Sequence, residues 1–121
     1  HFGGNFPLWL APVQVAVLPV SDKVLEYSKK ILDTLKSKDI RVKLNTRSDK
    51  IGAKIRQAEL EKINIMLIIG EKEESDNSVS LRRRFEGNIG KMNLDLLIEN
   101  LKNEIDTRRI AHSQKAEATN K

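Results

Sequence analysis

The sequence predicts one α/β domain. Three strands, at residues 13–20, 40–45 and 63–70, alternate with two amphipathic helices, and connections of this length are typical of parallel strands. The chain has 121 residues, which is enough for one hydrophobic core but not for two independent ones. Its 39% hydrophobic and 32% charged content is ordinary for a globular fold.

The first strand, residues 13–20, is VQVAVLPV, a valine-rich run that we expect to be buried on both faces. Ser21 is a good N-cap for the helix that follows and ends near residue 38. The apolar positions of this helix recur at helical spacing: Val24, Ile31, Leu32 and Leu35. If the strand order reverses after this unit, right-handed crossovers place the two helices on opposite faces of the sheet.

The second strand, residues 40–45, alternates apolar residues with arginine and lysine. Ser48 or Asp49 is predicted to cap the next helix, which carries its apolar residues at Ile51, Ile55 and Ala58. The third strand, residues 63–70, is the buried run INIMLIIG.

After Gly70 we expect an acidic turn over residues 71–77 and a short strand over residues 78–84. The glycine-punctuated segment FEGNIGKM leaves room for one more extended piece. Asn93 is the predicted cap of a final helix. The expected boundaries are a linker at 1–12, a folded domain at 13–110 and a flexible tail at 111–121.

Composition excludes several kinds of site. The chain has no cysteine and two histidines far apart, so disulfides, thiolate metal sites and a histidine triad are not expected. No apolar run approaches the roughly 20 residues of a membrane span, and no signal peptide is visible.

The formal net charge of +5 favours a polyanionic partner. The chain begins HFGGNFP without methionine, so we expect it to be a fragment of a larger protein.

Residues 40–56 form a basic segment where a strand ends and a helix begins. Asp49 is its one acid, and a helix start offers free N–H groups and a field favourable to anions. Lys50 and Lys54 lie one turn apart and are expected to share a helix face, with Gly52 leaving room for a close ligand. The cations are Arg41, Lys43, Arg47, Lys50, Lys54 and Arg56. This segment indicates phosphate or nucleic acid as the partner to test.

A second basic group lies on the strand at residues 78–84. The period of two puts Ser80, Arg82 and Arg84 on one side. Glu73, just before this strand, is an acceptor for base amino groups, so glutamate and arginine together can read unstacked bases. The alternative is a charged edge strand that blocks aggregation, with Glu73 balancing local charge.

Six motifs run in order along the chain and carry a resemblance. They are FPLWLAPVQV at 6–15, IRV at 40–42, RSDKIGAKIR at 47–56, IIGEKE at 68–73, VSLRRR at 79–84 and IGKM at 89–92. Together they resemble the C-terminal anticodon-binding domain of bacterial-type threonyl-tRNA synthetase, a class II aminoacyl-tRNA synthetase.

The resemblance implies a three-layer α/β/α domain with a five-stranded mixed sheet. It implies that the domain holds the anticodon loop of threonine tRNA, whose second and third anticodon bases are G and U. The parent enzyme would attach threonine to tRNA with ATP in a separate catalytic domain of the same chain. No cofactor is expected in this fragment, whereas ATP, Mg and Zn are expected in the missing parts. The parent is expected to be a cytoplasmic homodimer.

By motif position, the resemblance implies that Arg56, Glu73 and Arg82 contact anticodon bases. Position 48 is usually asparagine in the family and is Ser48 here, a shorter donor and acceptor that we keep as a fourth base contact. Contacts to the tRNA backbone are predicted for Arg47, Lys50, Lys54 and Arg84. No catalytic residue and no metal ligand is predicted in this chain.

Two other classes of function stay open at this point. One is a non-catalytic protein-interaction or dimerisation module of a synthetase-like protein. The other is a small-molecule-binding α/β domain with its site at the carboxyl ends of the strands. Binding that ignores salt and RNA would favour the first class, and calorimetric binding of a nucleotide or metabolite would favour the second.

Overall fold

A computed structural model describes the backbone of residues 11–119 and the side chains of residues 11–106. Residues 1–10, and with them most of the predicted linker, lie outside the described residues. The elements in chain order are β1 (Val15–Pro19), α1 (Leu25–Ser37), β2 (Val42–Leu44), α2 (Ile51–Leu60), β3 (Ile65–Ile69), α3 (Glu71–Asp76), β4 (Ser78–Arg83), β5 (Gly87–Asn93) and α4 (Leu94–Thr119).

The five strands form one mixed sheet in the order β2-β1-β3-β4-β5. β1 is parallel to β2 and to β3, whereas β4 and β5 add on as an antiparallel pair. The chain steps from β1 to β2 in one direction and then crosses back to β3 in the other. This reversal places α1 and α2 on opposite faces, as right-handed crossovers require. The predicted five-stranded mixed sheet is confirmed.

Two cores lie on the two faces of the sheet. The larger one joins α1 and α4 to the sheet through fully buried side chains such as Ile31, Leu67 and Leu101. The smaller one packs α2 on β1 and β3 through Ala58, Leu18 and Met66. Helices on both faces make the three-layer α/β/α arrangement. No helix in the part of the chain that the structure describes is long and apolar enough to cross a membrane.

One of the three predicted helix caps lies at a different residue from the observed one. Asn93 does cap α4, because its Oδ1 accepts hydrogen bonds from the backbone N–H of Asp95 at 2.8 Å and of Leu96 at 3.4 Å. The prediction of Ser48 or Asp49 as the cap of α2 is wrong, since Lys50 occupies that position without a side-chain hydrogen bond. Ser21 does occupy the N-cap position, but of a 3-10 turn (Asp22–Val24) that leads into α1, and its side chain makes no capping hydrogen bond.

Two further segments differ from the prediction. Residues 71–76 form the short helix α3 where an acidic turn was expected, because the carboxylate of Glu73 closes the first turn on Gly70. The backbone of α4 is helical to Thr119, beyond residue 111 where the predicted tail begins. The flexibility of residues 111–121 stays a prediction.

Arg83 ties the sheet to the last helix. Its Nη2 donates to Oε1 of Glu104 at 2.8 Å, and both side chains are about a quarter exposed. This contact lies on the α4 side of the sheet, opposite the face that carries Arg82. The side chain of Arg83 therefore links β4 to α4.

Candidate nucleic-acid interface

Two of the predicted base-contacting residues, Ser48 and Glu73, follow strands at one edge of the sheet, and Arg82 lies on a neighbouring strand. β2 and β3 are parallel, so Ser48 and Glu73 follow them at the same carboxyl edge. β4 is antiparallel to β3 and starts at that edge, which brings Ser80 and then Arg82 onto the neighbouring strand. Ser48 lines a hollow at this edge together with Ser21 and Asp22 after β1. Ser48, Glu73 and Ser80 therefore lie near the carboxyl edge, where open α/β sheets usually hold ligands, whereas Arg82 lies further along β4, opposite Met66 toward the amino end of β3.

The carboxylate of Glu73 is held at both oxygens. Oε1 accepts the backbone N–H of Gly70 at 2.7 Å, and Oε2 accepts the hydroxyl of Ser80 at 3.3 Å. A Cβ at Gly70 would lie 2.9 Å from Oε1, so glycine leaves the space that the carboxylate fills. Each carboxylate oxygen keeps a second lone pair. Glu73 is a preoriented hydrogen-bond acceptor at the edge of the sheet.

Arg82 lies on the sheet face that carries α2, one pleat beyond Ser80. It is half-buried opposite Met66, and its Nε is excluded from solvent with no hydrogen-bond acceptor among the described residues. A buried N–H without an acceptor costs about 1–3 kcal/mol. The Nε edge of the guanidinium thus lies against the sheet without an acceptor, and its terminal amino groups make no hydrogen bond to the described residues, so they can bind an external acceptor.

Two more contacts stabilise the residues around Glu73. Tyr27 of α1 donates its hydroxyl to the carbonyl of Ser78 at 2.7 Å, and burial, followed by the charges of Glu73 and Glu74, raises the pKa of Tyr27. Lys91 of β5 binds Asp76 at 2.5 Å, and this hydrogen bond raises the pKa of Lys91. Both contacts brace the junction of α3 and β4.

Arg56 lies apart from this cluster, on the exposed side of α2. It lines a shallow hollow with Arg47 and Asp49, and the Nε of Arg47 is 3.0 Å from Oδ2 of Asp49. The side chain of Arg56 makes no hydrogen bond or ion pair within the described part of the chain. The structure thus groups Arg56 with Arg47, and it does not bring Arg56 into contact with Glu73 or Arg82.

Lys50 and Lys54, which are one turn apart and were expected to share a helix face, differ in exposure. Lys50 is exposed, whereas Lys54 is only 4% exposed and its Nζ donates to the carbonyl oxygen of Pro19 at 2.8 Å. The reason is that the buried side of α2 faces the end of β1, where this carbonyl needs a donor. Lys54 therefore fastens α2 to β1 in the free domain.

We predict that Lys54→Met lowers the free energy of unfolding by about 1.5 kcal/mol, because it leaves the Pro19 carbonyl without its charged donor. Lys50→Met, one turn away and exposed, should change it by less than about 0.5 kcal/mol. Urea denaturation of the two variants checks this. Unchanged stability of Lys54→Met together with weaker RNA binding would instead support the predicted backbone contact.

Arg84 follows β4 at the opposite, amino edge of the sheet. Its guanidinium carbon lies 4.5 Å from the ring centroid of Phe85, and its backbone N–H donates to the carbonyl of Asn64 at 2.9 Å. Phe85 is 78% exposed and has a positive φ of 72°. If Arg84 contacts tRNA, it does so at a place separate from the Glu73 cluster.

Sequence reasoning missed the residues that support Glu73 and those that face Arg82 from β5. The hydroxyl of Ser80 and the N–H of Gly70 were not expected to orient a carboxylate. On β5, Asn88 pairs with Arg82 and Lys91 pairs with Ser80. Strand alternation predicted that Ser80 and Arg82 lie on the same side of β4. Their partners on β5, however, depend on a register shift that the sequence pattern does not predict.

The three-layer α/β fold carries a basic helix start, a preoriented carboxylate and a half-buried arginine on separate elements, a combination that suits RNA binding. The family model described as "Anticodon binding domain" matches residues 14–104, so the chain belongs to the anticodon-binding domain family. Within that family its similarity is to threonine–tRNA ligases.

Two curated relatives and one solved structure illustrate this similarity. The threonine–tRNA ligase of Prosthecochloris aestuarii is 54% identical over 108 residues, covering 89% of this chain and 16% of the relative. That of Clostridioides difficile is 50% identical over 108 residues, covering 89% of this chain and 17% of the relative. The chain thus spans about one sixth of the length of these relatives.

The solved structure is described as the RNA binding domain of threonyl-tRNA synthetase from Cryptosporidium parvum Iowa II. It superposes with a TM-score of 0.82 at 36% identity, covering 86% of this chain and 26% of that chain. The agreement in fold and sequence supports the three-layer arrangement described above.

Proposed function

We propose that this chain is the anticodon-binding part of a threonine–tRNA ligase and that it holds the anticodon loop of threonine tRNA. The observation that carries the proposal is the Glu73 carboxylate, fixed by Gly70 and Ser80, with the half-buried Arg82 two residues beyond Ser80 on the same side of β4. A fixed acceptor next to an arginine fork is the chemistry that reads a Watson–Crick edge of an unstacked base.

Arg56 and Ser48 complete the proposed base contacts from other elements. Arg56 on the exposed side of α2 would reach a second nucleotide, and Ser48 at the carboxyl edge would add a short donor and acceptor. Arg47, Lys50 and Arg84 would attract the phosphate backbone, which makes affinity fall as salt rises. Lys54 is buried and its Nζ donates to the carbonyl oxygen of Pro19, so it is not included among the proposed backbone contacts.

The rest of the parent enzyme belongs to the proposal as well. Aminoacylation of tRNA with threonine and ATP would take place in a catalytic domain elsewhere in the same protein, acting as a cytoplasmic homodimer. ATP, Mg²⁺ and Zn²⁺ would be bound there. Among the described residues of this chain, no group of three His, Cys, Asp or Glu side chains could hold a metal ion, so none is assigned to a metal.

Titration of the chain with threonine tRNA transcripts tests the proposal. Changes at the second and third anticodon bases should weaken binding about tenfold each, whereas changes of a stem base pair should have little effect. Equal effects of anticodon and stem changes would contradict base reading. Self-association without any RNA binding would instead favour an interaction module.

We predict that Arg56→Ala loses discrimination at one anticodon base, because the arginine is exposed and has no partner in the described part of the protein. The loss should be about tenfold for the cognate transcript and small for a transcript already changed at that base. Fluorescence titration with both transcripts measures it. Gln57→Ala, the adjacent exposed residue on α2, is the control. An even loss across all transcripts would mark Arg56 as a backbone contact.

A further inference from the structure

We infer that Asn88 of β5 is a further specificity-determining residue, contacting the same nucleotide as Arg82. The inference rests on the proposed function, since it extends the base-reading surface from β4 to β5. It follows from the register of two strands, the exposure of one sheet face and the chemistry of two opposed side chains.

A β-bulge decides which residue of β5 faces Arg82. Leu81 pairs with Gly90, but Arg82 pairs with Asn88, so Ile89 is passed over at the register shift. In an uninterrupted ladder Ile89 would lie opposite Arg82, and Asn88 would point to the α4 side of the sheet. The bulge thus replaces an apolar neighbour of Arg82 by an amide.

The face that Arg82 and Asn88 share is open. The core under α2 draws its strand residues from β1 and β3, and among the described residues β4 and β5 contribute none to it. Asn88 is exposed, and its side-chain amide makes no hydrogen bond to any residue that the structure describes. Directly opposed residues have Cβ atoms about 4.5–5.5 Å apart. One planar ligand can therefore touch both side chains.

The two side chains offer complementary chemistry. Asn88 presents one carbonyl acceptor and two N–H donors, and Arg82 presents donors only. Lys91, next on the same face, can only donate and is bound to Asp76 at 2.5 Å, so the side-chain carbonyl of Asn88 is the acceptor that β5 places opposite Arg82. An asparagine beside an arginine forms a mixed donor and acceptor edge, which selects among bases instead of merely holding a phosphate.

The test compares Asn88→Ala and Asn88→Asp with Asn103→Ala, an exposed asparagine of α4 on the other face. The 121-residue chain is titrated with threonine tRNA transcripts that carry single changes at each anticodon base or in the stem. Asn88→Ala should lose about tenfold in discrimination at one anticodon base only. Asn88→Asp should lose more at that base, because its carboxylate would pair with Arg82. Asn103→Ala should match the unaltered chain.

The outcomes separate this inference from the proposed function. If the unaltered chain ignores anticodon changes, the proposed function fails. If the unaltered chain discriminates and Asn88→Ala does so equally well, only the inference is overturned. An even loss over all transcripts also overturns it, because it indicates a backbone contact. Asn88→Ser, which keeps a small polar side chain at the bulge, replaces Asn88→Ala if alanine unfolds the domain.

Discussion

Arg82→Lys is expected to lower the affinity for the cognate transcript about 30-fold, while keeping the salt dependence of binding nearly unchanged. Lysine preserves the charge but lacks the planar fork that binds two acceptors of one base. Affinity titrations at several salt concentrations separate the two contributions. Full retention of discrimination in Arg82→Lys would mean that Arg82 acts as a point charge only.

Arg83→Ala is the matched control for this experiment. Arg83 is adjacent in sequence but points to the other face of the sheet, where it pairs with Glu104 at 2.8 Å. Its loss should cost about 1 kcal/mol of stability or less and leave discrimination intact. A loss of discrimination as large as that of Arg82→Lys would show that the two arginines act through the fold of β4.

Glu73→Gln is expected to reduce discrimination at one anticodon base about tenfold or more, with little change in stability. Glutamine also serves at this position of a helix-capping box, so the first turn of α3 keeps its contact to Gly70. What changes is the charged acceptor that a base amino group needs. Thermal unfolding followed by transcript titration measures both quantities, and Glu74→Gln on the same helix is the control.

Gly70→Ala provides an independent check on Glu73. A Cβ at Gly70 would lie 2.9 Å from Oε1 of Glu73, so the carboxylate must move although its charge is kept. The backbone of Gly70 has φ −117°, which alanine adopts without strain. Discrimination should therefore fall in this variant too. If Glu73→Gln and Gly70→Ala both bind as the wild type does, Glu73 caps the helix and does not read a base.

The parts of the fold that could be predicted are those with a local or periodic signal. The buried strands β1 and β3, the helix α1 and the cap at Asn93 all follow from hydrophobic periodicity and capping preference. Helix α3 escaped prediction because its six residues carry no apolar stripe and its closure depends on one side-chain contact, from Glu73 to Gly70.

The candidate site shows the same division. Ordered motifs indicated Arg56, Glu73 and Arg82, and strand alternation put Ser80 on the side of Arg82. The burial of Lys54 could not be predicted, because a lysine one turn from Lys50 has the same local pattern whether it meets solvent or a strand end.

The sequence by itself determined that this is one basic α/β domain of the anticodon-binding family, because periodicity, charge and ordered motifs are local properties of the chain. Tertiary structure alone decided that Lys54 holds Pro19, that Ser80 and Gly70 orient Glu73, and that Asn88 faces Arg82. These contacts join residues from different elements, and a register shift of one residue is enough to exchange the face on which a side chain lies.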